Sequence, residues 1–156
     1  MIITLPFDEA IAFATLENPL PAMVTSVTCD DSTVTVVLDL KQISSESRGV
    51  RVALAVAGTV TATTTLLAFE HGVATLAITA HARGLPAHTL LQYLVDPIDR
   101  AMTRAGLPAG LVTIGGGADP EVRIDVQRAM DQRMPGVAVT ALRLELGAIR
   151  IEAHVA

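Results

Sequence analysis

Aromatic side chains are scarce in this chain. Phe7, Phe13, Phe69 and Tyr93 are the full set, and tryptophan is absent. Lysine occurs once, at Lys41, beside ten scattered arginines, and the formal net charge is −5. A duplex-binding surface needs clustered cations to neutralise phosphates, and a single-strand binder needs aromatic faces on which bases stack. Neither is present, so nucleic acid is excluded as the expected partner. Cys29 stands alone. It has no intrachain partner for a disulfide, which favours a reducing compartment and a cytoplasmic location. The N-terminus lacks both a basic start and a long apolar run, so it does not read as a signal peptide.

A long charge-free run does occur at residues 52–69, but it contains Gly58 and five threonines. Val50, Val52, Leu54 and Val56 alternate with smaller or charged residues, which is the period of a strand. No transmembrane segment is expected.

The chain is otherwise rich in Ala, Val, Leu and Ile: hydrophobic residues make up 51% of it. At 156 residues it reads as a single domain over 1–156 with enough chain for a real core. Apolar residues at positions 90, 91, 94, 95, 98 and 102 trace one stripe of a long amphipathic helix over residues 88–105. Pro97 interrupts that stripe. The run Asp96-Pro97-Ile98-Asp99 therefore predicts a cap with proline in the first helical position, and a kink or fresh start near residue 96.

Residues 7–16 and 126–134 predict short helices, the second capped by Asp125. Strands are expected at 2–5, 23–29, 33–40, 50–57, 59–69, 73–82 and 121–124, with turns at Asp30-Asp31-Ser32 and His71-Gly72. At the C-terminus, Gly147-Ala148 fits a two-residue hairpin loop. That loop would set Glu145 opposite Arg150, Arg143 opposite Glu152, Leu144 opposite Ile151 and Leu146 opposite Ile149. Strand, helix, proline and hairpin follow in that order in both 2–40 and 121–155, a hint of pseudo-repeat without residue identity. The fold class is α+β: a curved antiparallel sheet packed around one long helix, with a short helix near each end of the chain.

Chemistry-bearing motifs are few. Gly115-Gly116-Gly117 lacks a following helix and a lysine, so it reads as a turn rather than a phosphate cradle. His71, His81, His88 and His154 show no metal-ligand spacing. His71 belongs to a turn and His154 to the polar face of the last strand, while His81 and His88 converge only if the chain turns at Gly84-Leu85-Pro86. Asp96 and Asp99 read as capping residues, and Asp30-Asp31 as turn chemistry. Asp119 and Glu121 lack the further oxygens of a calcium loop. Ser44, Ser45 and Ser47 sit in a polar loop without a nucleophile elbow. No catalytic residue, metal or cofactor is assigned.

The unusual feature is a strand face of Ala53, Ala55, Ala57, Thr59, Thr61 and Thr63, all small and neutral. Such a face is either plain surface, a contact between subunits, or the inside of a curved sheet that holds a helix and a small apolar ligand. In element order the chain resembles the bacterial tubular lipid-binding proteins. The matching pieces are residues 7–16, 23–40, 50–82, 88–105 and 142–155. That resemblance implies a strongly curved sheet wrapped around a long helix, enclosing an apolar cavity. The leading expectation is a non-catalytic domain binding a small apolar or lipid-like ligand between helix and sheet, lined by Leu91, Leu94, Val95, Ile98 and Met102. A homo-oligomer built on the Ala/Thr face is the alternative, and an enzyme centred on His81 and His88 comes third.

Overall fold

The computed structural model describes residues 1–44, 46–81, 86–115 and 119–156. The turn expected at Gly115-Gly116-Gly117, the break before Pro86, Ala82 and Ser45 fall wholly or partly outside them.

The chain opens with strand β1 (Ile2–Pro6) and helix α1 (Phe7–Ala14). Asp8 and Glu9 in the first turn of α1 complement the positive end of its dipole. Strands β2 (Val24–Asp30) and β3 (Thr33–Asp39) form a hairpin, followed by a short 3-10 turn at Leu40–Gln42. Helix α2 (Arg48–Ala57) leads into the long strand pair β4 (Thr59–Glu70) and β5 (Val73–His81). Helix α3 (Ala87–Arg104) comes next, then strands β6 (Val112–Gly115) and β7 (Glu121–Asp125). Helix α4 (Val126–Arg133) and the hairpin β8 (Val137–Glu145) and β9 (Ala148–Val155) close the chain.

The fold is α+β, with all strand pairs antiparallel. A six-stranded sheet has the order β2-β3-β4-β5-β7-β6, and a three-stranded sheet the order β1-β9-β8. The two chain-end units exchange places. Strand β1 lies in the small sheet and its hairpin β2–β3 in the large one, whereas β7 lies in the large sheet and its hairpin β8–β9 in the small one.

Residues 50–57 form a helix, not the expected strand. The cause is at the two ends. The Ser47 side chain accepts the Val50 amide at 3.4 Å, capping the start. Gly58 takes φ +65 and returns its amide to the Leu54 carbonyl at 3.0 Å, closing the end in a conformation that costs glycine little. Between these caps Val50, Leu54 and Ala57 recur at helical spacing; Leu54 is 1% exposed, whereas Val52 and Val56 stand 56% and 68% exposed. The alternation of valines was a coincidence of composition. It follows that Ala53, Ala55 and Ala57 do not share a sheet face with Thr59, Thr61 and Thr63.

Helix α3 runs unbroken through Pro97, which corrects the expected restart at Asp96. Proline costs one ladder bond there, the one its missing N–H would give to the Tyr93 carbonyl. Burial of the stripe on either side outweighs that loss. Leu90, Leu91 and Leu94 join Met23, Leu38, Leu40, Ile43, Leu54, Ala57 and Val60 in one core cluster, with Ile78, Ala80 and Ile114 packed against it, so α2 and α3 share a core with the large sheet that reaches across to β5 and β6. Asp96 and Asp99 are therefore mid-helix residues and cap nothing. Asp125 does cap α4, accepting the Arg128 amide at 2.9 Å.

The terminal hairpin forms two residues out of the expected register. Its loop is Leu146-Gly147, both with positive φ, and it pairs Glu145 with Ala148, Leu144 with Ile149, Arg143 with Arg150 and Leu142 with Ile151. A shift of two keeps every side chain on its face but dissolves the charge pairing across the strands. Arg150 instead meets Glu152, two places along its own strand, at 3.3 Å.

Candidate functional site

A groove of about 330 Å³ runs along the outer flank of α3, beside the segment joining α1 to β2 and the residues just after β3. Pro19, Leu20, Pro21, Met23 and Ile43 supply its apolar surface, and Pro97 and Ala101 bring in the helix. Asn18, Gln42, Ser44, Arg100 and Arg104 supply the polar groups. A smaller recess of about 120 Å³ adjoins it, sharing Ile43, Ser44, Pro97 and Arg100 and adding Val50, Gln92, Tyr93 and Asp96.

Each wall has a local cause. Helix α1 already ends at Ala14, and the prolines at 19 and 21 restrict the backbone of the linker beyond it. Met23 is pinned where the Asp39 amide bonds its carbonyl at 2.7 Å, and the Ile43 amide bonds the Leu40 carbonyl at 3.2 Å. Arg100 and Arg104 lie one turn apart on α3 and so project from the same side. The Arg100 Nε donates to the Asp96 carbonyl at 3.3 Å. Among the described residues, Arg150–Glu152 is the one ion pair, so neither arginine of the groove has a carboxylate within 4.0 Å.

The five residues expected to line a cavity lie elsewhere on α3. Leu91 and Leu94 are buried in the core cluster, Ile98 is half-buried against it, and Val95 and Met102 are half-buried. None of them lines the groove, which belongs to the opposite flank of the same helix. The residues that sequence reading missed are Arg100 and Arg104 on α3, with Met23, Ile43 and the Pro19–Pro21 segment across from them. The i, i+4 spacing of the two arginines was visible; what faced them was not.

His81 and His88 are both exposed, and the segment that would bring them together lies outside the described residues. No group of three or more His, Cys, Asp or Glu side chains able to hold a metal occurs among the described residues. Burial, with added repulsion from Asp30 and Asp31, pushes the Cys29 thiol above its ordinary pKa. That environment opposes formation of a reactive thiolate. A second opening of about 470 Å³ separates β4 from β8, between Leu67 and Phe69 on one side and Thr140, Leu142 and Leu144 on the other. No described helix is long and apolar enough to cross a membrane.

No protein-family model matches this sequence, no curated protein is similar to it, and no solved structure matches its fold.

Proposed function

We propose that this chain is a non-catalytic binding domain for a small apolar, lipid-like ligand, seated against α3. The observation that carries this reading is the groove itself: about 330 Å³ of concave surface with proline, leucine, methionine and isoleucine walls, interspersed with the polar side chains of Asn18, Gln42, Ser44, Arg100 and Arg104. Ligand sites of roughly 300–1,000 Å³ have that make-up. The resemblance in element order to the tubular lipid-binding proteins agrees with it. In this reading Leu91 and Leu94 anchor the helix, while Val95, Ile98 and Met102 support the wall from behind. Lone Cys29 accords with a cytoplasmic setting.

A neutral environment-sensitive dye titrated into the folded protein tests the proposal. Binding should be saturable, and Ala101→Phe, which fills the groove from the helix side, should weaken it at least tenfold while the protein stays folded. A dye that does not bind, or that binds Ala101→Phe as well as the parent chain, overturns it.

A second reading has one observation behind it. Val52, Ala55 and Val56 are exposed together on α2, at i, i+3 and i+4. A homo-oligomer would bury that stripe, and sedimentation would then show Ala55→Glu dissociating it, because an unpaired carboxylate at an apolar contact is costly.

A further inference from the structure

The two arginines of the groove constrain what the apolar walls receive. Arg100 and Arg104 are like charges one turn apart, an arrangement that is repulsive by itself. On a chain of net charge −5 they form a local cationic spot. Like every described arginine but Arg150, neither has a carboxylate of the described residues within 4.0 Å, so no ion pair competes for them. Arg100 commits one donor to the Asp96 carbonyl, and the rest of its guanidinium fork remains for another acceptor. Asn18, Gln42 and Ser44 add neutral hydrogen-bonding groups to the same lining. Among the residues that line the groove and its adjoining recess, the one acidic side chain is Asp96, which lines the recess and so marks the end that an anion would avoid.

We propose that the groove selects single-chain amphiphiles with an oxyanion head, a carboxylate or a phosphate. The head is gripped by Arg100 and Arg104, and the chain lies along Pro19, Leu20, Met23 and Ile43. Guanidinium forks match both heads bidentately and are more weakly hydrated than an ammonium, which suits a half-open site. The volume sets the tail. About 330 Å³ is the small end of the range for ligand pockets and fits one medium-length chain, not a two-chain lipid. This inference rests on the binding reading above and adds the head group and chain number to it.

Calorimetric titration of the full chain with decanoate, decyl phosphate and decanol, each below its micellar concentration, separates the two layers. One of the two acids should bind at least tenfold tighter than decanol, and the preferred acid identifies the head. The double variant Arg100→Gln/Arg104→Gln should bring acid and alcohol level, by weakening the acid at least tenfold. Both arginines are exposed, so the fold should survive, and unchanged thermal denaturation checks that it has. Arg100→Lys/Arg104→Lys, which keeps the charge and loses the fork, should fall between. Equal affinity for acid and alcohol in the parent chain, or an acid preference that persists in the glutamine variant, overturns the head-group assignment and leaves apolar binding standing. No binding of any of the three overturns both.

Discussion

Asp31 and Leu146 sit at the tips of hairpins from different sheets, and the Leu146 amide donates to the Asp31 carboxylate at 2.9 Å. The Gly147 amide adds a bond of the same length to the Asp31 carbonyl, and the Phe7 amide bonds the Gly147 carbonyl at 2.9 Å. Three segments far apart in sequence thus meet at one turn. Asp31 and Leu146 both have positive φ, 54 and 53. Aspartate adopts that conformation at less cost than leucine.

Leu146 is 89% exposed, so its side chain returns little packing for that strain. Leu146→Asn would convert the loop to the Asn-Gly pair that such turns favour. It should stabilise the protein by about 1 kcal/mol, read as a raised denaturant midpoint with unchanged slope. Asp31→Ala should act in the opposite direction, and the two changes should not be additive, because they share one hydrogen bond.

Arg143 faces Arg150 across the hairpin, and Glu145 faces Ala148. Arg143→Glu replaces a like-charge cross-strand pair with an opposite one and should stabilise by about 0.2–1 kcal/mol. Exchanging the charges of Glu145 and Arg150, singly and together, should give effects that couple by about 0.2 kcal/mol or less, since these residues are diagonal neighbours and not opposed. A coupling near the upper end of the range for opposed pairs, about 1 kcal/mol, would mean that the hairpin adopts the other register.

The close approach of Gly72 to α4 is equally testable. A Cβ on Gly72 would fall 2.4 Å from the Gln127 Cβ, and Gly72 has φ +79. Gln127 is itself committed: its amide bonds the Gly72 carbonyl at 3.0 Å, and its side chain bridges the Val137 carbonyl and the Val139 amide at 2.9 and 2.8 Å. Gly72→Ala should therefore cost about 2–4 kcal/mol from backbone strain and overpacking combined. Leu94→Ala, which empties a core position only 4% exposed, should cost about 2–5 kcal/mol. Thermal or chemical denaturation measures both.

The Cys29 thiol is raised by burial first and by Asp30 and Asp31 second. Alkylation of the native protein should consequently show its midpoint above the ordinary thiol range, and Asp31→Asn should lower it while keeping an acceptor for the Leu146 amide. The sign for stability follows. The fold favours the neutral thiol, so its contribution is complete below the unfolded thiol pKa and is lost as pH rises through the folded one.

Much of the secondary structure was legible because it is locally written. Asp125 reads as a cap, His71-Gly72 as a turn, and the stripe from Leu90 onward as a buried helix face, all from neighbours within a turn or two. Residues 50–57 were misread because valine alternation mimics a strand, while the deciding signals, Ser47 before and Gly58 after, each occupy one position. Pro97 was given too much weight: a tertiary core on both sides of a proline holds a helix together where local preference would end it. Strand β6 is four residues long and had no period to detect. The hairpin register turned on which residue enters the left-handed region, and the contact that settles it, Asp31, is 115 positions away. The groove was hidden for the same reason. Its arginines were visible on the polar side of α3, but Met23 and Ile43 reach them only through the packing of the whole large sheet.

Strand β1 has its sheet partner at the other end of these residues: the Met1 amine bonds the Ala153 carbonyl at 2.8 Å, and the Ala153 amide returns to Met1 at 2.9 Å. A ribosome adding roughly 5–20 residues per second needs on the order of ten seconds to get from β1 to β9. Throughout that time Ile2, Ile3 and Leu5 have no β9 to pair with, although all six strands of the large sheet can already have emerged. An uncharged strand in that position is open to pairing with other nascent chains. β1 is thus a segment whose safety during synthesis depends on how fast β9 arrives.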